Sequence, residues 1–239
     1  MVVDRDLSRS LDGLGPVADV DATLPLDQLT ALVDAVCAQA DRADKAVVVL
    51  RLAAADTADR SWPGAVSVSD VNRWERAVRR LERLSAMTIV VAQGACGGPA
   101  LDLLLAADFR IAAPDLQLML PVNDGHVWPG MALHRLVQQL GLSRARQIVL
   151  WGDDIPVRRA VELGLVDQVA EDLPEAVHTA RLLMGRISDE ELAVRRRLLL
   201  EATATEYDDA LGAHLAACDR ELRRLAAGDT AGTATETRP

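Results

Sequence analysis

The sequence predicts an α/β protein, a curved and mostly parallel sheet flanked by helices and followed by a helical C-terminal region. Two observations carry this. Short runs rich in Val, Leu and Ile alternate three times with segments whose apolar residues recur at helical spacing, the mark of β-α-β units. From Pro174 to about Ala226 the strand-like runs stop and the pattern is helical throughout.

Residues 1–24 are polar and punctuated by Gly and Pro, and read as an edge hairpin or a loose arm. From Pro25 the apolar positions Leu26, Leu29, Leu32, Val33, Val36 and Cys37 predict an amphipathic helix that ends in the charged stretch Asp41 to Lys45. Ala46 to Leu52 is too short for a helix and reads as a buried parallel strand. Val71, Trp74, Val78 and Leu81 form the next helical stripe, with Ser69 or Asp70 as its cap, and Met87 to Ala92 is the next strand. The turn Gln93 to Pro99 leads into a short helix through Leu101, Leu104 and Leu105, then into strands at Phe109–Ala112 and Leu116–Leu120. Leu133, Leu136, Val137 and Leu140 mark a helix stopped by Gly141, with Ser143 capping the next. Val157 to Leu163 is a helix halted by Gly164, and Leu165 to Val169 is the last strand. These boundaries give a core over 1–173, a helical region over 174–227 and a polar, disordered tail over 228–239.

Composition narrows the function. A net charge of −10 repels phosphate backbones and anionic lipid, and aromatics at 3% leave no ladder for stacking bases, which argues against nucleic acid and membrane partners. Lys45 is the only lysine, so Schiff-base chemistry has one candidate, at a strand entrance, and no function is placed on it. Cys37, Cys96 and Cys218 are widely spaced and read as reduced thiols, and the isolated His134, His178 and His214 give no metal site. The N-terminal residues lack an apolar export segment, so a cytoplasmic location is expected.

The most informative stretch is Gln93 to Asp108, where a strand ends in a glycine-rich turn that opens a helix. Such a turn aims backbone N–H groups and a helix dipole at an anionic oxygen. It also reads as a plain tight turn with Pro99 at the first helical position. A dinucleotide-binding turn has little support, because Gly94, Gly97 and Gly98 do not form G-x-G-x-x-G and the turn lies outside the first β-α-β unit.

Here the sequence resembles the enoyl-CoA hydratase/isomerase, or crotonase, superfamily. Gly94, Gly97, Leu103, Leu105, Ala106 and Asp108 fall in step with that family's glycine turn and helix, and Arg110 to Ala112 with the strand that follows. Pro121, Pro129 and Gly130 match downstream, as do Leu150-Trp151-Gly152 and Ala160 to Val169, so the resemblance spans roughly 46–171. It implies a spiral of β-α-β units, a C-terminal region packed against neighbouring subunits in a trimer or hexamer, and a coenzyme A thioester as substrate with no separate cofactor and no metal.

Carried over residue by residue, the resemblance places Pro63 and Pro99 where the family uses two backbone N–H groups as an oxyanion hole. Proline has no N–H to give. Gly64 and Gly98, one residue away, are the expected substitutes. The family's first catalytic carboxylate falls on Asp102; the second falls on Val122, with Asn123, Asp124 and His126 close behind, so Asp102 and Asp124 are the catalytic candidates. Each also has a plain reading, Asp102 as a helix-start acid and Asp124 as part of a polar loop.

Two segments resemble one crotonase subgroup: Ser61-Trp62-Pro63-Gly64 with Asp70 to Val78, and Cys96 to Asp102. That subgroup comprises dehydratase-type accessory proteins of 3,5-dihydroxyphenylglycine biosynthesis, which work beside a type III polyketide synthase and a second crotonase. The resemblance implies a lyase-type subunit that helps convert a cyclised polyketide thioester into 3,5-dihydroxyphenylacetyl-CoA. The alternative is a crotonase body that has lost catalysis and stabilises or activates a partner crotonase or the synthase.

Overall fold

The computed structural model describes residues 15–43, 47–53, 60–184, 187 and 189–233; Lys45 and the first fourteen residues of the expected N-terminal arm lie outside them. The chain divides into two compact units, Met1–Asp189 and Glu190–Pro239.

The first unit is built on a sheet of five strands in the order β1 (Val17–Val20), β2 (Val47–Leu52), β3 (Met87–Ala92), β5 (Phe109–Ala112) and β10 (Gln168–Val169). Every neighbouring pair in it is parallel. β2 and β3 pair over six positions, from Val47 opposite Met87 to Leu52 opposite Ala92, and β3 is buried at every residue, as a central strand covered on both faces requires. Asp108 fixes the next register: its Oδ2 accepts from the Thr88 N–H at 2.8 Å and the Thr88 hydroxyl at 2.7 Å. The N-terminal segment contributes β1 as a parallel edge strand rather than the hairpin that was one expectation; Pro16 and the run Val17–Val20 align with β2 from the outside.

Helix α1 (Leu26–Ala40) buries Leu29, Val33, Val36 and Cys37 at helical spacing. Helix α2 (Val68–Glu82) packs beside it through Trp74, Ala77, Val78 and Leu81. Its cap is Ser67, not Ser69 or Asp70. The Ser67 hydroxyl accepts from the Asp70 N–H at 3.3 Å while the Ser67 N–H donates to Asp70 Oδ2 at 2.8 Å, a reciprocal box that starts the helix at Val68. Short strand β4 (Ala95–Cys96) leads into α3 (Gly98–Ala106), which lies between α2 and α4 (Met131–Trp151). β4, β6 (Gln117–Leu118) and β9 (Ile155–Pro156) make a small second sheet, and β7 (Val122–Asn123) and β8 (His126–Val127) a hairpin. The expected strand at Leu116–Leu120 is thus only two residues long. Gly141 leaves helical geometry (φ 74, ψ 158), so α4 is two helical segments that meet at the stop expected there, the second running to Trp151.

After α5 (Val157–Glu162) and β10, helix α6 (Leu173–Met184) lies against β3 and β5 through buried Ala176, Val177 and Ala180. It belongs to the first unit, so the core extends past residue 173 to Asp189. The second unit contains α7 (Asp189–Ala202) and α8 (Tyr207–Thr233), laced by exposed pairs such as Glu191–Arg195 and Glu221–Arg224. Helix α8 runs to Thr233, five residues past the expected start of the tail at Gly228, in keeping with the alanines that precede Gly228; 234–239 lie outside the described residues. Among the described residues no helix is long and apolar enough to cross a membrane.

Leu104 is 0% exposed in the centre of α3. Leu104→Ala removes packing on all sides and is expected to cost about 2–5 kcal/mol, read as a fall in the urea midpoint at unchanged slope.

Candidate active site

A cavity of about 360 Å³ opens where four segments meet: Ala22–Pro25, Arg60–Gly64, Gly97–Pro99 and Met119–Pro121. The Ser61-Trp62-Pro63-Gly64 loop and the glycine turn therefore converge on one site, as the resemblance implies, and both substitute glycines, Gly64 and Gly98, line it. So do Pro63 and Pro99. Gly98 occupies the first position of α3, so its N–H has no acceptor within its own helix and is available to a ligand. Its φ of +51 suits a residue without a Cβ, and any Cβ there would stand 3.1 Å from Trp62 Cγ.

Trp62 is the fixed point of its loop. Its backbone N–H donates to Asn123 Oδ1 at 3.0 Å, and its carbonyl accepts from Asn123 Nδ2 at 2.7 Å. Hairpin residue Val122 donates to the Arg60 carbonyl at 3.0 Å, so β7 holds the loop at two points. The Arg60 guanidinium, at the cavity edge, pairs with Asp154, which also accepts from Gln117 Nε2 at 2.9 Å. The indole of Trp62 meets that of Trp74 edge to face, with centroids 6.1 Å apart.

Asp102 does not line the cavity. Its side chain is buried behind Trp74, whose indole N–H donates to Asp102 Oδ2 at 2.9 Å. Arg135 of α4 stands 3.5 Å from Asp102 Oδ1, 3.3 Å from Glu75 Oε2 and 3.8 Å from Glu82 Oε1. One guanidinium thus serves three carboxylates. Burial pushes the Asp102 carboxyl up to about 7, and the nearby Glu75 charge pushes the same way; Arg135 and the Trp74 N–H oppose it.

Asp124 is also away from the cavity. It is exposed at the tip of the β7–β8 hairpin, in the left-handed region (φ 48) and followed by Gly125, and His126 beside it is exposed too. Its sequence context, Asn-Asp-Gly, is turn chemistry, and the structure uses it so. Of the four site candidates the fold brings together Gly64 and Gly98, and leaves Asp102 and Asp124 apart from them. Trp62 and Arg60 line the cavity, and Asn123 holds the Trp62 backbone from outside the lining. Cys96 lies next to the turn, but burial pushes its thiol up to about 12, which leaves it un-ionised at neutral pH. Among the described residues no group of three His, Cys, Asp or Glu side chains is placed to hold a metal.

The carboxyl of Asp102 is raised in the folded state from 3.8 to about 7, so between those values the folded protein keeps a proton that the unfolded chain gives up. Stability from this group is full below the unfolded value and is lost as pH rises to about 7. A tenfold difference in proton affinity between the folded and unfolded states is worth about 1.4 kcal/mol, which makes the loss a few kcal/mol. Asp102→Asn keeps an acceptor for the Trp74 N–H and has no proton to release. Urea denaturation at about pH 5 and pH 8 is expected to show wild-type stability falling across the interval and the variant's staying nearly level.

The family model for enoyl-CoA hydratase/isomerase matches residues 67–231, well over half of the 239-residue chain. An enoyl-CoA-hydratase of Amycolatopsis orientalis is 42% identical over 224 residues, 94% of this chain and 99% of that protein. Solved structures of an enoyl-CoA hydratase/isomerase from Marinobacter aquaeolei and an enoyl-CoA hydratase from Shewanella pealeana each give a TM-score of 0.73. The first is 21% identical, covering 94% of this chain and 95% of its own; the second is 19% identical, covering 93% and 92%. At those identities the structures speak for the fold, and the family match and the Amycolatopsis relative speak for kinship: this chain belongs to the enoyl-CoA hydratase/isomerase family.

Proposed function

We propose that the protein is an enoyl-CoA hydratase-type subunit that binds a polyketide-derived acyl-CoA thioester and assists a type III polyketide synthase and a second crotonase in forming 3,5-dihydroxyphenylacetyl-CoA. The observation that carries thioester binding is the meeting of the Trp62–Gly64 loop and the Gly97–Pro99 turn on one cavity. The Ser-Trp-Pro-Gly and Cys-Gly-Gly-Pro-Ala-Leu-Asp segments, which resemble those of the accessory subgroup, support the finer assignment. Exposed Leu211, Leu215 and Leu222 on α8 support association with neighbouring subunits, as a trimer, a hexamer or a heteromer.

Within that assembly the chain supplies binding and structure, and the partner crotonase supplies the proton transfer. Two features favour this division. Prolines stand at both positions that the resemblance gives to donors for the thioester oxygen, which leaves that work to the displaced N–H groups of Gly64 and Gly98, and a lost oxyanion donor costs about 10²–10³ in rate. Neither Asp102 nor Asp124 lines the cavity. A second reading, that Asp102 itself moves the proton, is favoured by one observation: a carboxyl raised to about 7 is matched to general acid–base work at neutral pH.

Reconstitution separates the two. The chain, the partner crotonase, the synthase and malonyl-CoA are incubated together, and aromatic product is followed by mass spectrometry. Omission of the chain is expected to abolish or sharply reduce product, and Asp102→Asn to leave it unchanged. A loss of about 10²–10⁴ in rate for a folded Asp102→Asn variant assigns the proton to Asp102. Calorimetry that finds no acyl-CoA binding, alone or with the partner present, overturns the thioester reading.

A further inference from the structure

We propose that Trp62 is the specificity-determining wall of the cavity: its indole sets how deep an acyl group reaches and separates the cavity from the buried indole of Trp74. The inference rests on the reading that the cavity takes a thioester.

The geometry gives Trp62 two sides. It lines the cavity, yet it is only 8% exposed, so most of its surface lies against protein. On one flank its Cγ and Cβ lie 3.1 and 3.4 Å from where a Cβ on Gly98 would stand, which seats the indole against the first turn of α3. On another it meets Trp74 edge to face, and Trp74 in turn holds Asp102. The order from solvent inward is cavity, Trp62, Trp74, Asp102. The wall is also held in place, because Asn123 bonds both the N–H and the carbonyl of Trp62 and so limits retreat of the loop. At about 360 Å³ the cavity is near the lower end of the roughly 300–1,000 Å³ usual for ligand pockets. Removal of the indole opens the space toward Trp74 and the first turn of α3. A smaller residue at 62 therefore deepens the acyl site as far as Trp74, which still covers Asp102.

The test uses the full chain with Trp62→Ala and the milder Trp62→Phe, read in whichever variants keep the native circular dichroism spectrum. In the first arm, calorimetry compares acetyl-CoA with phenylacetyl-CoA. The variant is expected to shift preference toward the bulkier thioester by about 10-fold or more, the scale on which an apolar pocket discriminates; an unchanged ratio overturns the inference. In the second arm, no thioester is needed. Limiting N-bromosuccinimide is applied, and oxidation of Trp74 is read by peptide mass spectrometry. Trp74 is expected to stay unmodified in the wild type and to be oxidised in the variant. Oxidation of Trp74 in the wild type, or its protection in a folded variant, overturns the inference. If no protein binds either thioester, the functional reading fails, while the oxidation arm still decides whether Trp62 is the wall.

Discussion

Each of the nine residues from Gly98 to Ala106 is buried, and the carboxylate of Asp102 is carried into the interior with them. An isolated ionised carboxylate there is too costly to keep, so the surroundings must supply partners or a proton. The fold supplies both in part. Trp74 from α2 gives one hydrogen bond and Arg135 from α4 an opposite charge, and the rise of the carboxyl to about 7 lets it hold its proton through much of the acid range. Because α2 and α4 reach this cluster from either side of α3, the three helices are fixed to one another by one polar knot within an otherwise apolar core.

That knot shapes the cavity. Trp74 has its N–H committed to Asp102, so its ring presents an edge contact to Trp62, and Trp62 is left between Trp74 and the open space. A glycine at 98 lets the indole come within van der Waals distance of the helix start. Pro63 and Pro99, which have no N–H, and the indole packed into the first turn are thus parts of the same arrangement around the cavity.

Much of the sheet was legible in the sequence because parallel strands covered on both faces read as short runs of Val, Leu and Ile, as at Val47–Leu52 and Met87–Ala92. The glycine turn and the Ser-Trp-Pro-Gly loop were legible as local motifs, and their meeting followed from kinship. The position of Asp102 was not. It sits one turn beyond Pro99, a spacing equally compatible with facing a cavity or the core, and what decides is a tryptophan 28 residues earlier and an arginine on a helix after it. No local pattern relates those three. Asn123 was missed for the same reason: its partner, Trp62, lies 61 residues away. Asp124 was misplaced because turn chemistry and a polar site loop use the same residues.

The two roles open to Asp102 differ in what surrounds it rather than in its acidity. A carboxyl near 7 has the proton affinity for acid–base work, but transfer needs contact with the reacting atom directly or through one water. Asp102 has its oxygens turned to Trp74 and Arg135, and two indoles lie between it and the cavity. Raised proton affinity of this kind arises wherever an acid is buried beside another negative charge, and it accompanies structural clusters as well as catalytic ones. Geometry therefore outranks proton affinity here. Asp102 thus keeps to the helix that follows the glycine turn and is enclosed there by Trp74 and Arg135, apart from the cavity.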